Sequence, residues 1–241
     1  MEDFLRNNYS LLTRTVEILA AVVGLLCLKK YKSTHTKYFI YYLVYVALLE
    51  LIGSYPRYVA NYDSLLVAKN YLKGGYFEKN YWWYTIFWNI GGIVFLSFYF
   101  RKILSNRIFK TILKYGTLLF IVFAMVYYSI NFKELFFNSI FTGINLFGII
   151  IILGCFIFYF FEVLNSEKIL EFHKSINFYI SATIFIWWLI ITPLIFYEIY
   201  FSSVDWSFIF LKWQIFLFAN VFMYLTFTFA LIYCKPELKN D

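Results

Sequence analysis

Apolar residues along this chain come in seven long runs separated by short polar stretches. The runs are roughly 11–28, 37–55, 81–100, 112–131, 136–161, 178–200 and 206–233. Within each run polar residues are too sparse to draw the two-residue alternation of a half-buried strand or the one-sided stripe of a soluble helix. A helix rising about 1.5 Å per residue needs about 20 apolar residues to cross about 30 Å of hydrocarbon. The pattern therefore predicts an all-α, polytopic membrane protein, a seven-transmembrane-helix bundle. Little chain remains between the runs, so residues 1–241 are expected to form a single transmembrane domain.

Composition sharpens this reading. The 241 residues are 62% hydrophobic and 25% aromatic, with a mean hydropathy of +0.69. A soluble domain of this length has too little core to hide so much apolar surface. The first run follows Glu2 and Asp3 instead of a basic segment and lacks a small-residue cleavage site. It is expected to stay in place as the first helix. Three isolated cysteines, Cys27, Cys155 and Cys234, suggest neither a disulfide framework nor a metal site.

Charge sets the expected orientation. One set of connections carries thirteen basic residues, crowded at Lys29–Lys37 and Arg101–Lys114 and continuing through Lys168, Lys174, Lys235 and Lys239. The opposite set carries seven, four of them spread along the longest connection, 56–80. The positive-inside rule then places the N-terminus outside and the C-terminus in the cytoplasm. The net charge of +7 is accounted for by topology, and no nucleic-acid partner is expected. Pro56 is read as the stop of the second helix, and Tyr81-Trp82-Trp83-Tyr84 as an interfacial aromatic belt.

Polar residues at membrane depth are costly, which makes them the places to look for function. Counted along the runs, Glu17, Glu50, Asn89, Asn145 and Lys212 fall in the outer half, with Gln214 and Glu198 nearby. Asn220 lies deeper, near the middle of the seventh helix, eight residues from Lys212 and on the same face. Glu17, Glu50, Asn89, Asn145, Lys212 and Asn220 would line a polar cavity open to the outer side, with either glutamate as counter-ion to Lys212. The same residues also suit plain helix–helix hydrogen bonds or snorkelling to the interface. Pro193 is expected to kink the sixth helix.

Several chemistries are argued against. The histidines are His35 and His173, both in connections, and the aspartates, Asp3, Asp63, Asp205 and Asp241, lie outside the apolar runs. A di-metal oxygenase, a serine–histidine protease and a two-aspartate intramembrane protease lack their residues. No glycine-rich phosphate loop is present. A retinal Schiff base needs a lysine at the middle of the seventh helix, and Lys212 lies about two turns too far out. The expectation is a non-enzyme without cofactor or metal.

The run from Glu17 to Lys32, the stretches Lys37–Tyr45 and Leu49–Gly53, Tyr84–Asn89 with the basic connection after it, and Phe172–Tyr179 with the distant Trp213 and Asn220 resemble an uncharacterised family of small multi-pass membrane proteins of flavobacteria and related Bacteroidota. The resemblance implies a bacterial inner-membrane location. It singles out Glu17, Glu50 and Asn89 as family-like positions and carries no activity. The expected function is a ligand-responsive sensor or receptor-like module. A small transporter or channel, or an accessory or defence effector, are the alternatives. The lipid bilayer is the expected partner in every case. A receptor adds a cytoplasmic or membrane protein partner, and an effector adds a homo-oligomer.

Overall fold

The computed structural model describes residues 2–137, 142–197 and 206–236. All regular elements among them are helical. In chain order these are α1 (Glu2–Tyr31), α2 (Thr36–Gly53), α3 (Tyr55–Asn61), a 3-10 turn (Asp63–Leu65), α4 (Leu66–Leu72) and α5 (Tyr81–Trp83). A π-helix (Tyr84–Ile90) leads into α6 (Gly91–Ile103), then α7 (Arg107–Ile130), α8 (Glu134–Phe137) and α9 (Thr142–Leu164). A 3-10 segment (Glu167–Lys174), α10 (Ile176–Tyr197) and α11 (Trp206–Tyr233) complete the chain. Among the described residues, seven stretches are long and apolar enough to cross a membrane: Asn8–Tyr31, Thr36–Asn61, Tyr81–Ile103, Arg107–Ile130, Gly143–Leu164, Ile176–Leu194 and Trp206–Tyr233.

Boundaries differ from the sequence reading at three places. The first helix starts at Glu2, well before position 11, because Asn8 and Thr13 turn their side-chain donors back onto the helix carbonyls of Phe4 and Tyr9. Pro56 begins a helix where a stop was expected. It occupies the first turn of α3, where its missing amide is no loss and its fixed φ suits helix entry. The expected fifth run, 136–161, covers α8 and α9, with 138–141 outside the described residues.

The chain divides into two compact units, Met1–Ala47 with Val163–Asp241, and Leu48–Glu162. In the first, α11 packs against both α1 and α10. Tyr9 lies 6.1 Å from Trp213 between ring centroids. At the other end Tyr31 donates to the carbonyls of Leu231 and Cys234 at 3.1 and 2.7 Å. The two contacts fix α1 and α11 as parallel neighbours in nearly constant register. A first and a seventh crossing of a membrane would run in the same direction in this way. Small buried residues, Ala20 and Ala21 on α1 and Ala219 and Ala230 on α11, let the backbones approach closely. The Lys30 ammonium closes the end, donating to the carbonyls of Leu231 and Ile232 at 3.0 and 2.8 Å. Those are orphan acceptors at the negative end of the α11 dipole. α10 runs antiparallel to α11, with Tyr179 beside Phe229 and Trp187 beside Asn220.

In the second unit α7 and α9 are antiparallel over their length, as their short connection implies. Phe109 stacks on Phe158 at 4.4 Å, a Cβ on Gly154 would sit 3.8 Å from Leu113, and Phe120 meets Phe147 edge-on at 5.6 Å. Gly148 lets Ile93 of α6 lie so close to α9 that an added Cβ would collide with its side chain. Ser97 on α6 and Thr117 on α7 share a buried hydrogen bond. The start of α7 is capped twice: Asn106 accepts from the amides of Ile108 and Phe109, and Glu162 accepts from those of Ser105 and Asn106 at 2.8 and 2.7 Å. Each uses donors that a helix N-terminus leaves unsatisfied.

Candidate functional site

Of the polar residues expected at membrane depth, Glu50, Asn89 and Asn145 belong to the second unit and Glu17, Lys212 and Asn220 to the first. In the second unit the organising element is the π-helix Tyr84–Ile90. Its wide turns close bonds from residue i to i+5, and such segments recur at functional sites. The Gly91 amide reaches back to the Ile86 carbonyl in this pattern. Tyr84, at the start, donates its hydroxyl to Oε2 of Glu50 at 2.8 Å. Asn89, one such turn later, donates its side-chain amide to Oδ1 of Asn145 on α9 at 2.6 Å. One irregular segment thus holds the end of α2 and the body of α9.

The end of α2 is built around Glu50. The Ser54 hydroxyl donates to the Glu50 carbonyl at 2.8 Å, Trp83 Nε1 to the Leu49 carbonyl at 3.1 Å, and Asn80 Nδ2 to the Gly53 carbonyl at 2.7 Å. These satisfy acceptors that a helix C-terminus leaves open. Gly53 makes the approach possible, because a Cβ there would lie 2.8 Å from Trp83 Cδ1 and 3.1 Å from the Tyr84 hydroxyl.

In the first unit the constant register of α1 against α11 puts Glu17 at the level of Asn220, near the middle of both helices. Glu17 is buried at 6% exposure. Asn220 accepts from Trp187 Nε1 at 2.8 Å. Lys212 is half-buried, with its ammonium 5.9 Å from the Phe216 ring one turn on. By the same register it stands at the level of Tyr9, about 12 Å along the helix from Glu17. Pro193 lies inside the continuous helix α10, one turn before its end. Its missing amide leaves the Leu189 carbonyl without the usual donor. Glu198 lies outside the described residues.

Tyr84, read from the sequence as part of an interfacial aromatic belt, and Trp187, given no role there, are the bonding partners the sequence did not mark. Both sit in aromatic doublets, Trp83-Tyr84 and Trp187-Trp188, that composition alone assigns to packing. Only a polar handle aimed at a membrane-depth Glu or Asn sets them apart. Among the described residues no group of three or more His, Cys, Asp or Glu is placed to hold a metal ion.

Fold and composition together define a membrane protein with seven helices able to cross a bilayer. No protein-family model, curated protein or solved structure matches the chain.

Proposed function

We propose that this is a ligand-responsive sensor of a bacterial inner membrane, with its N-terminus outside, its C-terminus in the cytoplasm, and its outward-facing end taking the ligand. The observation that carries the reading is the π-helix Tyr84–Ile90, pinned by Glu50 at one end and Asn145 at the other. A π-turn holds one residue more than an α-turn over the same length. Converting it to α would turn Tyr84 relative to Asn89, so both bonds cannot survive the change. A ligand that competes for the Glu50 carboxylate or the Asn89 amide would bias that equilibrium by its differential affinity. The change would pass along α6 to the basic connection before α7, where a cytoplasmic or membrane partner reads it. The inner-membrane location rests on the resemblance to the flavobacterial family and on the distribution of Lys and Arg.

A small transporter is the second reading, favoured by the burial of Glu17 at mid-span level with Asn220, since buried carboxylates at that depth mark ion and substrate paths. Reconstitution in liposomes separates the two. Wild type, Glu50→Gln, Glu17→Gln and Lys212→Met are assayed for solute flux, internal pH and dye leakage under imposed gradients. A sensor gives no flux in any of them. Flux that Glu17→Gln abolishes would establish transport and end the sensor reading.

A further inference from the structure

The connection between α2 and α5 carries a helix that the protein itself does not cover. Neither α3 nor α4 contains a buried residue. On α4, Val67 and Tyr71 lie one turn apart on one face and are 84% and 87% exposed. Ala68 and Leu72 flank them on that side, while Lys69, Asn70 and Lys73 fall on the other at 100° per residue. A seven-residue helix does not persist on propensity alone, because its nucleation cost is repaid only when an apolar face is buried. Ala68 and Leu72 are half-buried, while the Val67–Tyr71 face is left open by the chain itself.

The rest of the connection says where that face lies. Tyr55 donates its hydroxyl to the carbonyls of Phe77 and Lys79 at 2.7 and 3.0 Å, and Asn80 donates to Gly53. Both feet of the connection are thus tied together, one just past the end of α2 and inside the apolar stretch Thr36–Asn61, the other immediately before the stretch that begins at Tyr81. Tyr76 and Phe77 pack on Phe136 of α8, which leaves α4 as the uncovered part, held close to the level of the helix ends. An amphipathic helix there, with tyrosine on the apolar side and lysines on the polar side, has the pattern of a segment lying in the plane of a bilayer.

We infer that α4 is an interfacial helix, with Val67 and Tyr71 inserted at the headgroup–acyl boundary and Lys69 and Lys73 directed to lipid phosphates. It anchors the connection whose feet, Tyr55 and Asn80, adjoin the Glu50–Tyr84 pair, so bilayer composition bears on that group. The test is nitroxide accessibility in phosphatidylglycerol–phosphatidylcholine bilayers. Labels are placed singly at Val67→Cys, Tyr71→Cys, Lys69→Cys and, on the outward side of α7, Leu119→Cys, with Cys27, Cys155 and Cys234 replaced. Labels at 67 and 71 should meet oxygen more often than a polar nickel chelate, at shallower depth than 119, and the label at 69 should show the reverse. Free access of the chelate to 67 and 71 while 119 stays lipid-exposed overturns the inference and leaves the membrane reading intact. Loss of access to both reagents at 67 and 71 means a protein partner covers the face, which also overturns it. A chelate-accessible 119 would overturn the crossing of α7 itself. On the unaltered chain, amide hydrogen exchange over 64–73 should slow on transfer from a lipid-free amphipathic polymer to bilayer discs, and an unchanged rate overturns the inference independently of any substitution.

Discussion

Asn89 on the π-helix and Asn145 on α9 bond side chain to side chain, amide to carbonyl oxygen at 2.6 Å. Both are half-buried, and each would otherwise present an amide to lipid or apolar side chains. Interhelical bonds of this kind are worth about 0.6 kcal/mol on average in membrane proteins and reach about 1.7. A double-mutant cycle of Asn89→Ala and Asn145→Ala, read by reversible unfolding in mixed micelles, should give a coupling in that range. A coupling of zero would mean the two side chains act independently.

Gly148 leaves no room for a side chain against Ile93. Gly148→Ala should therefore destabilise the protein by about 1–3 kcal/mol through overpacking, read as a lowered Tm. Ile93→Val in the same chain should recover part of the loss, because it removes the atom that the new Cβ meets. Gly116, with nothing within 4 Å of a Cβ, is the control: Gly116→Ala should be neutral or slightly stabilising.

Glu162 and Asn106 together take up the amides at the start of α7. Asn106→Ala should cost about 1 kcal/mol. Glu162→Gln keeps one acceptor oxygen and should cost less than Glu162→Ala. Hydrogen exchange at 105–109 is the local readout, and it should accelerate in both Glu162→Ala and Asn106→Ala without change in α10. Uniform acceleration across the chain would mean that the cap supports global stability and not the helix end alone.

The connection before α10 carries an ion pair between Lys174 and Glu171 at 2.9 Å. The bond and charge of Lys174 hold the Glu171 carboxyl below its ordinary range, and Glu171 raises the Lys174 ammonium in return. The Glu171 contribution is present above its unfolded value and is lost as pH falls through the lowered one. The Lys174 contribution is present below its unfolded value and is lost as pH rises through the raised one. Both groups are fully exposed, so salt screens the pair. Carboxyl titration by NMR should place Glu171 below an ordinary glutamate, and Lys174→Met or high salt should return it upward. A Glu171 titration unmoved by Lys174→Met would show that the pair does not form in solution.

The seven long apolar helices were legible in the sequence because length and apolarity are counted directly. Trp206–Tyr233 falls where the 206–233 run predicts a helix. The π-helix was not legible: Tyr84-Thr85-Ile86-Phe87-Trp88-Asn89-Ile90 reads as any apolar helix, and its extra residue per turn is imposed by the bonds of Tyr84 and Asn89 to other helices. The start of α1 was not legible, because the polar residues between Asn7 and Thr15 mask a helix that begins at Glu2. The partners of Glu50 and Asn220 are aromatic hydroxyl and indole groups, and nothing in a chain that is 25% aromatic marks which ones bond.

Register gives the last prediction. Tyr9 against Trp213 and Tyr31 against Leu231 and Cys234 place Glu17 level with Asn220 and about two turns below Lys212. Asn220→Leu should be destabilising, since it strands the Trp187 indole N–H in a buried setting at a cost of about 1–3 kcal/mol. Combined with Glu17→Gln, Asn220→Leu should show non-additivity, as expected of neighbours at one level. Unfolding of the two single variants and the double decides the point, and simple additivity would refute the register drawn from the helix ends.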